Sequence, residues 1–143
     1  MIVVLAVLGL VAGLVLARGP PRSAGLEMRA ATNAVAQAMR VARTRAIMSN
    51  QRVTVVFDPR ASTLRIGTGT PRSLPAGIGM SVVTTADLTA AITSGDRAGV
   101  QAGIVFMPDG SSSGGRVELA RGERHARVGV DWLTGRVTVA NGL

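Results

Sequence analysis

Residues 26–50 read LEMRAATNAVAQAMRVARTRAIMSN. Through this stretch Met28, Ala31, Val35, Ala38, Met39, Ala42 and Ala46 recur at three- and four-residue spacing and draw one apolar stripe on a 3.6-residue period. Arg29, Gln37, Arg40 and Arg43 fall largely off that stripe. Glu27 stands where the positive end of a helix favours a carboxylate, and Arg43 and Arg45 stand near the negative end. Ser49, Asn50 and Gln51 stop the periodicity. The spacing predicts an amphipathic helix over 26–50, docked by one face on the rest of the chain.

Downstream the period switches to two. Val53, Val55 and Phe57 alternate with Thr54 and Val56, and residues 58–62 form a turn before a second strand over 63–67. Residues 67–79, rich in Gly, Pro, Thr and Ser, read as a loop, and 78–84 as a strand. Residues 87–92 fit a short helix or irregular structure equally. A strand over 103–107 ends at the turn signal Pro108-Asp109-Gly110. Residues 111–115 read as a flexible connection to a strand over 116–120. Two last strands, 126–131 and 136–140, flank a tight turn at 132–135. A helix followed by many short antiparallel strands gives an α+β fold, with 51–143 as its β domain. Periodicity leaves open whether those strands form one sheet or two.

Upstream, residues 1–17 read MIVVLAVLGLVAGLVLA, without charge, polar side chain or proline. At about 1.5 Å per helical residue the segment spans roughly 25 Å, slightly less than a hydrocarbon core of about 30 Å. A cleaved secretory signal normally carries a basic start and a small-x-small cleavage site. Here the basic start is missing, and Val15-Leu16-Ala17 has a poor central residue. A core helix of a globular domain would show a polar face, and none exists. A retained transmembrane helix is therefore preferred over a cleaved signal, and both over a soluble core helix. Residues 18–25, with Gly19-Pro20-Pro21, form a linker that kinks any helix leaving the membrane.

Residues 18–143 suffice for one small domain. There are 16 basic and 8 acidic residues, a net charge of +8, and every basic residue is arginine. That balance permits an anionic partner such as lipid headgroups or nucleic acid. Phe57, Phe106 and Trp132 are the only aromatics, so base stacking is poorly supplied. With no cysteine, disulfides and thiolate metal sites are excluded.

Candidate chemistry is sparse. His125, the single histidine, sits in an arginine-rich turn over 121–127 and reads as a solvated loop residue rather than a metal ligand. Ser111, Ser112 and Ser113 lack a Gly-x-Ser-x-Gly elbow and read as hairpin loop. The glycines from 110 to 115 lack the Lys-Ser/Thr ending of a phosphate cradle. The acidic residues are dispersed singly, so no carboxylate pair offers acid–base catalysis. The chain reads as a non-enzyme without cofactor or metal.

Four stretches together resemble one family. The opening MIVVLAVLGLVAGLVL looks like the apolar part of a prepilin-type N-terminal helix. Residues 38–49, with Ala42-Arg43 and Ala46-Ile47, look like a helix end leading into the strand at 53–57. Phe106 to Gly115 is similar to an F-x-P-x-G-x-S-x-G-G pattern, and Val130-Asp131 with Thr134-Gly135-Arg136-Val137 to a C-terminal hairpin. The chain in these respects resembles the GspH/FimT family, which comprises the minor pseudopilin H of type II secretion systems and related minor type IV pilins.

The resemblance implies a type IV pilin-like fold, with a hydrophobic helix continuing into an amphipathic helix packed on an antiparallel β domain. It implies a single-pass inner-membrane subunit with its β domain in the periplasm, working in protein export with other pseudopilins at a hetero-oligomeric fibre tip. Ala6, Gly9, Ala12 and Gly13 would then let helices approach closely in the fibre core. An alternative is a minor pilin that binds DNA for uptake, with Arg121, Arg124, Arg127 and Arg136 neutralising phosphates; the plainer reading of those arginines is a solvated basic face.

The family also carries a basic leader, a glycine at the prepilin peptidase cleavage point, a methylated phenylalanine and a glutamate soon after it. None of these stands in this sequence, and the expectation is that the chain starts at an internal methionine or was trimmed. Arg18 and Arg22 would by themselves favour a cytoplasmic β domain under the positive-inside rule. A basic leader would reverse that bias, so the periplasmic orientation implied by the resemblance is preferred.

Overall fold

The structure, a computed structural model, describes residues 24–84 and 102–142 together with Val3, Val4, Val7 and Gly9. The latter four are helical, and Val3, Val4 and Val7 are exposed. Most of the apolar span 1–17, positions 18–23 of the kinked linker and the ambiguous stretch 87–92 lie outside the described residues. Among the described residues no helix is long and apolar enough to cross a membrane.

Helix α1 covers Ala24–Ser49. All seven residues of the apolar stripe are buried, joined by Ala36 and by Thr32, whose hydroxyl donates to the Met28 carbonyl at 2.8 Å. No basic residue occupies the last turn, so the cations expected there do not close the helix. Backbone geometry does. Asn50 takes φ 52°, its N–H donates to Ile47 O at 3.4 Å, and the Gln51 N–H donates to Ala46 O at 3.3 Å. This paired closure satisfies carbonyls that a helix end leaves without partners.

Eight strands follow: β1 Val53–Asp58, β2 Thr63–Ile66, β3 Arg72–Ser73, β4 Gly79–Val83, β5 Ala102–Phe106, β6 Gly115–Arg121, β7 Arg124–Val130 and β8 Val137–Gly142. They form two antiparallel sheets of four, ordered β3-β2-β1-β5 and β4-β6-β7-β8. The strands expected from alternation are all present. The loop expected over 67–79 contains the short β3, and the arginine-rich turn expected over 121–127 is instead the end of β6, a tight turn at Gly122-Glu123 and the start of β7.

Alternation fixes which face each strand buries. Val53, Val55 and Phe57 of β1 and Ala126, Val128 and Val130 of β7 all point inward. Their partners in one continuous core are the α1 stripe, Leu64, Ile104 and Phe106 from the first sheet, and Val117 and Leu119 from the second. One helix thus covers both sheets, and its alanines at 31, 38, 42 and 46 leave room for close strand approach.

Candidate functional site

The two sheets and the end of α1 converge where β5 passes to β6. Residues 111–115, expected to be a flexible connection, are instead pinned along their length. Met107 N–H donates to Ser111 O at 2.9 Å, and Ser113 N–H donates to Val105 O at 2.8 Å. The Ser113 hydroxyl accepts from Val105 N–H at 3.1 Å. Ser112 N–H donates to Trp132 O at 2.9 Å and its hydroxyl donates to Asp131 O at 3.1 Å, which ties the connection to the β7–β8 turn. The same hydroxyl accepts from Gly114 N–H at 3.0 Å. These serines hold backbone, as their short polar side chains do where regular ladders stop.

Arg43 locks this junction from the helix. Its Nε donates to Gly110 O at 3.0 Å, and its side chain packs beside Gly110 and Gly135. Gly135 has φ 62°, and a Cβ there would fall on the Gly110 carbonyl and on Arg43. Gly115 has φ 140°, and a Cβ there would come within 2.9 Å of the Val83 carbonyl oxygen. Both positions therefore require glycine.

Two aspartates cap the adjoining turns. Asp131 accepts from the Thr134 N–H and hydroxyl, both at 2.8 Å, and Asp109 accepts from the Ser111 hydroxyl at 2.6 Å and N–H at 2.9 Å. The Thr134 N–H, more than its hydroxyl, holds the Asp131 carboxyl below its ordinary value. At Asp109 the Ser111 hydroxyl leads and its N–H adds to the same effect. Donors aimed at a carboxylate favour its charged form.

The arginines proposed to contact DNA divide between two places. Arg121 pairs with Glu27 in the first turn of α1, and the neighbouring Arg124 guanidinium lies against Gly25. Arg127 donates to Glu118 at 3.0 Å on the outer sheet face, where Glu118 also faces Arg116 at 3.6 Å. Arg136 stands at the other end of the β7–β8 hairpin, beside the Asp131 turn. Arg127 and Arg136 nevertheless border one groove of about 1330 Å³, with Arg40 and Arg43 of α1 and Arg116 of β6. His125 is exposed on β7, opposite Ala120 of β6 and Gly142 of β8. Among the described residues no group of His, Asp and Glu is arranged to hold a metal ion. Of the small residues expected to line helix contacts, Gly9 is helical, whereas Ala6, Ala12 and Gly13 lie outside the described residues.

The sequence marks Arg43 only as a cation near the helix end and Gly135 only as part of the hairpin pattern, and neither reading brings the two together at Gly110. The available signal was position: Arg43 follows Met39 by four and precedes Ala46 by three, on the flank of the buried face.

Comparison with known proteins agrees with this geometry. Residues 31–135 match the family described as type II transport protein GspH. A type II secretion system protein H from Xanthomonas campestris pv. campestris is 32% identical over 113 residues, covering 79% of this chain. The chain spans only 63% of that relative's length. The minor pseudopilin EpsH from the type 2 secretion system of Vibrio cholerae superposes with a TM-score of 0.59 at 13% identity, over 80% of this chain and 97% of that one. The type IV minor pilin FimU of Pseudomonas aeruginosa gives a TM-score of 0.59 at 11% identity, over 84% and 92%. The two structures share the fold: a helix packed on antiparallel sheets. The helix stripe from Ala31 to Ala46, the pinned glycine-serine connection and strand β7 with its turn through Gly135 lie within the matched residues, and the chain belongs to the GspH family.

Proposed function

We propose that this chain is a minor pseudopilin, a structural subunit of the periplasmic pseudopilus of a type II secretion system. The observation that carries the reading is the family match over 31–135, which spans both the helix seam and the pinned junction. On this reading residues 1–17 store the subunit in the inner membrane and then pack against helices of other pseudopilins, with Ala6, Gly9, Ala12 and Gly13 allowing close approach. The β domain faces the periplasm and meets its neighbours near the fibre tip. The role is architectural rather than catalytic, and it needs no cofactor. The precursor passes through prepilin peptidase.

Deleting the gene tests the reading. Secretion substrates should accumulate in the periplasm and reach the medium again when the full gene is restored. Normal secretion with lost DNA uptake would overturn it in favour of a DNA-binding minor pilin. Orientation is checked separately: protease added to spheroplasts should digest the β domain.

A further inference from the structure

Strand β8 is the outer strand of its sheet, and among the described residues only β7 pairs with it. Val137, Thr138, Val139 and Ala140 carry neither charge nor proline, the devices that keep a sheet edge from recruiting another strand. Val139 shares the inward-facing register of Val128 yet is 39% exposed, so the helix leaves this margin incompletely covered. Arg116 and Arg127, both facing Glu118, line the groove beside it, and so do Val137, Thr138 and Ala140 with Arg40, Arg43 and Arg136. None of the latter three arginines is ion-paired among the described residues. Asp131 also borders the groove, but its carboxylate is engaged by Thr134.

We infer that the free edge of β8 receives an extended acidic segment of a different subunit, which adds as a strand and sets its carboxylates against Arg40, Arg43 and Arg136. A strand edge presents alternating N–H and C=O groups, which another polypeptide backbone satisfies and a sugar–phosphate backbone does not. No aromatic ring lines the groove to stack a base. A second copy of this chain is a poor occupant. Side chains on one face of an added strand repeat every two residues, and the two nearest acids in this sequence, Glu118 and Glu123, are five apart. Two copies at +8 each would also repel. The inference rests on the pseudopilin reading only for the source of the segment; recognition itself belongs to the groove.

The test uses the full chain in detergent and three labelled probes: a short peptide alternating glutamate and threonine, its glutamine counterpart, and a DNA duplex. The glutamate peptide should bind about tenfold or more tightly than the glutamine peptide. It should also slow amide hydrogen exchange over residues 137–142. Arg40→Glu combined with Arg136→Glu alters two exposed side chains; it should weaken the glutamate peptide by a similar factor and admit a lysine counterpart. Equal binding of the glutamate and glutamine peptides would overturn the inference. So would unchanged exchange at β8, or retention of the DNA duplex alone. Because recognition is read on the purified chain and export in the deletion strain, either result can fail while the other stands.

Discussion

The Nε of Arg43 donates to the carbonyl oxygen of Gly110 at 3.0 Å, joining residues 67 positions apart. The bond ties α1 to the connection between the two sheets, and its environment is partly buried. Arg43→Met keeps the side-chain length but leaves that carbonyl without its donor. The expected loss is about 1–3 kcal/mol of unfolding free energy, the cost of stranding a buried acceptor. Urea unfolding followed by the fluorescence of Trp132, the sole tryptophan, measures it.

Gly135 and Gly122 both have positive φ, 62° and 59°, yet their surroundings differ. A Cβ at Gly122 meets nothing within 4 Å, whereas one at Gly135 strikes Gly110 and Arg43. Gly122→Ala should therefore cost only the backbone term, about 1–2 kcal/mol. Gly135→Ala should cost distinctly more and displace the Arg43 bond. Equal midpoint shifts for the two variants would show that the close approach at Gly135 is unimportant.

The seam of α1 should resist added volume. Ala42 is fully buried in the stripe, while Val41 beside it is exposed. Ala42→Leu is expected to destabilise by about 1–3 kcal/mol through overpacking. Val41→Ala should stay within about 0.5 kcal/mol of the parent. Thermal unfolding of the two variants side by side separates them.

The turn aspartates set an acid limit. The Thr134 and Ser111 donors hold the Asp131 and Asp109 carboxyls below the ordinary aspartate value in the folded chain. A carboxyl depressed on folding contributes stability that is complete above its unfolded pKa and fades as pH falls through the folded one. The loss therefore falls below about pH 4, and near neutrality the contribution of these groups is complete and constant with pH. Both side chains are exposed, so the effect is small. Replacing Thr134 by Val should bring the Asp131 carboxyl back toward its ordinary value, which carbon-13 titration of that side chain reads directly.

Periodicity made the layers legible. Met28 to Ala46 on α1, Val53, Val55 and Phe57 on β1, and Ala126, Val128 and Val130 on β7 all face inward as their spacing requires. What spacing does not encode is partnership between distant strands, so the division into two sheets emerged only in three dimensions. Arg72 and Ser73 form a strand too short to show a period. Ser111 to Gly115 look flexible by composition because their hydrogen-bond partners, Val105, Asp131 and Trp132, come from other segments. Proximity in sequence does not keep Arg121 and Arg136 together, because strand β7 runs between them and leaves one near each of its ends.

The double anchorage of α1 bears on how the domain withstands force. The Glu27–Arg121 pair fastens one end of the helix and the Arg43–Gly110 bond the other, with the alanine seam between them lying across both sheets. Tension drawn along the helix axis is then a shear spread over a contact of roughly 27 Å, the rise from Met28 to Ala46 at about 1.5 Å per residue. Such a load must break its contacts together rather than peel them one at a time, so a pull on the N-terminal segment moves the whole domain before it unfolds any part.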